Sequence, residues 1–288
     1  MSTRQTAVML VLCLAAVFAC GSCSSGPAPA KMGTPEWYWG AARDTFRQGD
    51  LAKTQEHLEK LMATDNPFKH RAMTWRLVIL AGLAEGHRDL AEAYDAGAGL
   101  TKTQPGDFRR VAGDLRRLAR LYALGLAEEV DRFHTEMADG ERVTLDFAFP
   151  RGSATEAITL DRLRKGIFPS EGERATALQR TIERGVLLET AAVVGAGQDT
   201  AKAAELFKTQ PVEAPRTVFL YGVATSLYDL TGIFDRKKLN EPDKKKILLQ
   251  MAASCLKAAA AGSDETLKKK TKELQEKLDK EQKALGKA

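Results

Sequence analysis

The chain has few of the residues that usually announce chemistry. Of its four cysteines, Cys13, Cys20 and Cys23 crowd the first 23 positions, and only Cys255 lies in the body. A disulfide framework is therefore excluded. The four histidines, His57, His70, His87 and His134, are dispersed without ligand spacing, so no metal site is expected and each is assigned to a surface or helix boundary. There is no Gly-x-Ser-x-Gly, no Walker loop and no His-Glu-x-x-His. The segment Val-Gly-Ala-Gly-Gln-Asp-Thr at 194–200 lacks a third glycine and follows a helical pattern, which excludes a dinucleotide loop. No catalytic residue and no cofactor are expected. A strong charge of one sign is also missing. The net charge of +5 is too small to imply a nucleic-acid partner, and the excess lies in residues 243–288, where 12 lysines face 7 acidic residues. That lysine-rich tail is expected to be a solvated face, with contact to anionic lipid as the alternative.

What is present is helical periodicity. Residues 37–67 read as two amphipathic helices joined at Gly49-Asp50. Tyr38, Ala41, Ala42 and Phe46 recur at helical spacing before the turn, and Leu51, Leu58, Leu61 and Met62 after it. Gly49 suits the residue past a helix end, and Asp50 suits an N-cap. The segment resembles a tetratricopeptide (TPR) repeat. Anchored on Gly49-Asp50-Leu51, Tyr38 falls at the Trp position, Ala41 and Ala42 at Leu-Gly, and Leu58 at Phe. Thr45 and Thr54 depart from the expected Tyr and Ala, and Pro67 comes one residue late. A looser copy runs through Trp75, Val78, Ile79, Gly86 and Ala91. The resemblance implies stacked helical hairpins presenting a groove to a partner protein.

At the start, one cation, Arg4, precedes an apolar run of 13 residues, 7–19. That run is short for a membrane-spanning helix and fits the core of a signal peptide. The sequence Val17-Phe18-Ala19-Cys20 resembles a bacterial lipobox, which implies cleavage before Cys20 and acylation of its sulfur and new amine. More than one acyl chain makes a stable anchor. No acidic residue follows Cys20, so outer membrane facing the periplasm is expected over inner membrane. Residues 20–33, rich in Gly, Ser, Pro and Ala, read as a flexible tether.

Beyond the first hairpin, residues 68–85 read as a strongly apolar helix and 89–98 as its weaker partner. A long helix begins near Asp107 and runs to about Ala138, with Arg109, Arg110, Arg116, Arg117 and Arg120 on one side. Between 141 and 170 the helical period stops. Val143, Leu145, Phe147 and Phe149 alternate like a half-buried strand, and 157–160 reads as a short strand pairing back. This insertion is either a binding element or a cover for a helix end. The second helical half holds helices at 175–194, 200–207 and 217–234, the last with Pro215 in its first turn. Another is capped by Asn240, with Cys255 as an inert core thiol. A last helix, capped by Ser263, runs from 264 to about 285.

The expected fold is all-α, a TPR-like α-solenoid of stacked helical hairpins with a small β-hairpin or extended insertion near 141–170. The organisation is a signal peptide (1–19), a tether (20–33), an N-terminal helical part (34–140), the insertion (141–170) and a C-terminal helical part with a capping helix (171–288). The expected function is that of a lipid-anchored envelope adaptor binding another envelope protein. Trp37, Tyr38, Trp39, Trp75, Arg109, Arg116, Arg117 and Arg120 are the candidate contacts, and Cys20 ties the chain to the membrane. The alternative is a helical lipoprotein that encloses a small or lipidic ligand as a transport accessory component. A closed apolar cavity favours the second reading, an open groove lined by polar and aromatic groups the first.

Overall fold

One long helix in this protein is buried over most of its circumference, and five of the other helices pack against it. The computed structural model describes residues 30–137, 142–148, 158–197, 199–207, 211–262 and 264–286. Among these are ten α-helices and two short strands. The segments expected as signal peptide and tether, with Cys20, lie outside the described residues except for residues 30–33.

Helices α1 (Pro35–Arg47) and α2 (Leu51–Met62) form the first hairpin as expected. Thr34 caps α1 by accepting from the Trp37 N–H at 3.3 Å. Gly49 turns with φ +78°, and Asp50 accepts from the Lys53 N–H at 3.1 Å. The two departures from the TPR pattern answer each other: the Thr45 and Thr54 hydroxyls meet at 3.0 Å across the hairpin. Thr54 is fully buried, and its hydroxyl also donates to the Asp50 carbonyl at 2.8 Å.

The central helix, α3 (Lys69–Leu100), corrects the reading of two helices broken near Gly86. It is 32 residues long and continuous, with Met73, Trp75, Leu77, Val78, Ile79, Leu80 and Leu83 buried around its circumference. A helix apolar all round must be covered all round. Gly86 is therefore a contact point inside a helix, and no turn follows it. The second TPR-like copy has no hairpin at that position. Helix α4 (Pro105–Glu136) returns antiparallel along α3, burying Phe108, Ala112, Ala119, Ala123, Leu126, Val130 and Phe133.

Strand β1 (Arg142–Leu145) sits where alternation predicted it, but its partner differs. It pairs antiparallel with β2 (Val212–Pro215), with Val143 opposite Ala214. The expected second strand is instead a helix, α5 (Ile158–Arg164). Leu160 and Leu163, three apart, lie on one helical face and are both buried, whereas strand pairing places odd-spaced residues on opposite faces. Beyond β1, Phe147 enters the core, stacking on Trp75 with centroids 4.5 Å apart and touching Trp39 at 5.0 Å and Phe46 at 5.3 Å. This part of the insertion therefore packs into the core.

Helix α6 (Glu171–Val193) opens with a capping box between Ser170 and Glu173 and crosses α3. Helix α7 (Thr200–Leu206) is short. Helix α8 (Arg216–Leu230) runs into a single 3₁₀ turn, Thr231–Phe234. Pro215 ends β2 and caps α8 without entering its first turn, because β2 pairs through that residue. Helix α9 (Pro242–Ala259) is capped by Glu241, not Asn240, which takes the left-handed conformation at φ +54°. Helix α10 (Glu265–Leu285) is capped by Asp264, which accepts from the Leu267 N–H at 3.0 Å. The expected cap, Ser263, lies outside the described residues. Leu267, Leu274 and Leu278 seat α10, and buried Lys245 ties it down through Glu281 at 2.7 Å and Asp235 at 2.8 Å. Lys268 and Lys269 are exposed, consistent with a solvated lysine face. The largest hydrophobic cluster runs from α1 to α10 across both helical halves, and two smaller ones pack α5 against α3 and α4 and α7 against α6.

Candidate functional site

The site follows from two close helix crossings made by glycines. On α3, Gly82 and Gly86 are four residues apart and share a face. A methyl on Gly82 stands 2.4 Å from Val186 Cα, and one on Gly185 of α6 stands 2.3 Å from the Gly82 carbonyl oxygen. At the second crossing, a methyl on Gly222 of α8 stands 2.7 Å from Val193 Cα. Each of these glycines has a polar neighbour on the same helix. Glu189 is one turn beyond Gly185, Ser226 one turn beyond Gly222, and Glu85 lies between Gly82 and Gly86. The crossings that pull the backbones together thus carry these three side chains toward one another between α3, α6 and α8.

The resulting cleft has a volume of about 510 Å³, within the range of small-molecule sites. Glu85, Leu188, Glu189, Tyr221, Ser226 and Asp229 line it from α3, α6 and α8, and Leu267, Lys270 and Glu273 of α10 complete the wall. Glu189 is 1% exposed. Ser226 Oγ donates to its Oε2, whereas Oε1 is buried with no hydrogen-bond partner among the described residues. Burial, reinforced by the charges of Glu85 and Asp229, pushes the Glu189 carboxyl up to about 8 against an ordinary 4.5. Glu85 is also raised, first by burial and also by Asp89 and Asp229, although Arg88 binds it at 2.7 Å and opposes the shift. Partial burial raises Asp229 at the rim, with Arg88 and Lys277 working the other way.

The sequence-expected residues fall elsewhere. Trp37 and Tyr38 are half-buried on α1 and pack edge to face at 5.1 Å, with His57 5.7 Å from Trp37. Trp39 is buried against Phe68 and Phe147, and Trp75 is fully buried with its Nε1–H donating to Asp146 Oδ1 at 3.4 Å. Neither can meet a partner in this arrangement, because the core already covers both rings. The arginine stripe splits. Arg109 and Arg117 are exposed, Arg117 pairing with Asp114. Arg116 is held by Asp95 of α3, and Arg120 bridges at 2.6 Å to Glu241, the cap of α9, so both fasten neighbouring helices.

His87 corrects the expectation of a surface or boundary histidine. It is buried in mid-α3, with Nδ1 2.7 Å from the Leu83 carbonyl, and burial lowers its pKa. Cys255 is a buried free thiol, pushed up to about 12 by burial, which makes it a poor nucleophile. Cys20 lies outside the described residues.

The carboxylates of the cleft were missed, although each carries a signal. Glu189 is the only charge in residues 185–198, Asp229 the only one in 217–234, and Glu85 the only one in 77–86. A lone charge in an apolar helical run has to be buried or to line a cavity. Comparison of the chain with family models, curated proteins and solved structures gives no match.

Proposed function

We propose that this is a non-catalytic binding protein that holds a small ligand in the cleft between α3, α6, α8 and α10, tethered to the bacterial envelope through a lipid on Cys20. The observation that carries the reading is Glu189, a wall residue of the 510 Å³ cleft whose Oε1 is buried without a partner among the described residues. A buried polar atom left unpaired costs about 1–3 kcal/mol, which a ligand donor offsets. Burial of Trp39 and Trp75 in the core weighs against the groove reading that relied on them. The lipobox-like stretch supports the anchor, and the first hairpin supports a TPR-like arrangement of that part of the chain.

Native mass spectrometry of the full chain released from native envelopes tests this reading. A small adduct is expected on the wild type and not on Thr225→Trp, whose ring fills the cleft. An adduct unaffected by that substitution contradicts the assignment.

The adaptor reading keeps one supporting observation. Leu118 and Leu121 on α4 are exposed, Leu121 to 60%, beside the exposed Arg117. A protein docking there would be recovered by crosslinking in the envelope, and Leu121→Asp would remove it.

A further inference from the structure

The cleft is strongly acidic inside a chain whose net charge is +5. Its walls carry Glu85, Glu189, Asp229, Asp264 and Glu273 against one cation, Lys270. Arg88 answers Glu85 at 2.7 Å. Glu189 and Asp229 form no ion pair among the described residues. They approach the cavity from α6 and α8, and the apolar groups Leu188, Val218 and Leu267 lie on the same walls. Among the described residues no three acidic, imidazole or thiolate groups converge as metal ligands do. The charge is spread along a cavity, which suits an extended cation better than a point one.

We infer that the ligand of this cleft is a small organic cation, a primary amine or guanidinium, whose N–H groups donate to Glu189 Oε1 and to Asp229 while its hydrocarbon body lies against Leu188, Val218 and Leu267. The inference rests on the binding reading above and names the ligand class for the same site. An ammonium or guanidinium head supplies several donors and a positive charge at once, so one group satisfies the orphan oxygen and relieves the repulsion among the carboxylates. A neutral hydroxyl relieves only the first, and a carboxylate or phosphate aggravates the second.

The test is isothermal titration of the full chain in detergent with probes sharing one body and differing in head charge: tyramine, tyrosol and 4-hydroxyphenylacetate. Agmatine and spermidine extend the cation set. At least one cation is expected to bind ten times more tightly than tyrosol, with no heat from 4-hydroxyphenylacetate. That preference is expected to shrink at least tenfold in Glu189→Gln and, separately, in the rim variant Asp229→Asn, whose exposed position leaves folding intact. Failure of every cation to bind overturns the inference, as does an equal response to tyrosol. If the adduct from native envelopes is lost in Thr225→Trp yet proves neutral or anionic, the ligand class falls and the binding function stands. With no adduct and no binding of any probe, both fall.

Discussion

Gly82→Ala and Gly113→Ala make the same chemical change in two helix interiors, and the structure assigns them opposite signs. Ala is favoured over Gly in a helix by about 1 kcal/mol. At Gly113 a Cβ meets nothing within 4 Å, so that gain is kept. At Gly82 the Cβ lies 2.4 Å from Val186 Cα and 2.5 Å from its nitrogen. Carbon pairs prefer about 3.5–4.0 Å, so α6 has to move by about 1 Å. Backbone cannot rotate aside as a side chain can, and overpacking of this kind costs about 1–3 kcal/mol or more. The net expectation is a loss of about 2 kcal/mol at Gly82 and a gain of about 1 kcal/mol at Gly113. Urea denaturation followed by circular dichroism reads both. For a slope of about 3 kcal/mol/M, the midpoint falls by roughly 0.7 M in the first variant and rises by roughly 0.3 M in the second. A Gly82→Ala protein as stable as Gly113→Ala would refute the close crossing, and with it the placement of Glu189 one turn further on.

Three further outcomes are expected. Glu189 binds a proton in the folded chain up to about pH 8 but only to about 4.5 when unfolded. Stability therefore falls as pH rises between those values, by up to about 1.4 kcal/mol per unit. Glu189→Gln should flatten that part of the profile in urea midpoints measured from pH 5 to 8, and an unchanged slope would show that Glu189 ionises normally. Phe147→Ala removes a ring stacked on Trp75 and should cost about 3–5 kcal/mol with loss of near-ultraviolet dichroism; a cost under about 1 kcal/mol would show that the segment after β1 does not pack there. Cys20→Ala should shift the protein from the membrane to the soluble fraction without changing its far-ultraviolet dichroism, and full membrane retention would remove the lipid anchor from the account.

Much of the fold was legible because local chemistry and burial agreed. The Gly49-Asp50 turn and the alternation of Val143 and Leu145 each carry a short-range signal that the structure keeps, whereas α6 starts at Glu171, four residues before the expected 175. The errors arose where tertiary contact decided. Gly86 looked like a break because a glycine inside a helix is unfavourable alone, and its use becomes visible only when Ile182 is seen 2.9 Å from where its Cβ would be. Strand β1 showed its period but not its partner, since β2 lies about 70 residues away. Trp75 looked like a contact residue because an aromatic reads the same on a surface and in a core. The cleft could not be located because its parts come from four helices, but the isolated charges of Glu85, Glu189 and Asp229 marked its carboxylates.

The central claim is that Glu189 waits in the cleft for a cation, and its own carboxyl carbon reports this most directly. With ¹³C-labelled glutamate, and Glu189→Gln to assign the resonance, a titration of the ligand-free protein should show Glu189 changing protonation near pH 8. Saturation with the tightest cation of the set should move that transition down, toward the ordinary carboxylate range, because the bound charge stabilises the ionised form. A Glu189 that titrates near 4.5 without ligand, or whose transition does not move when the cation binds, would contradict the account.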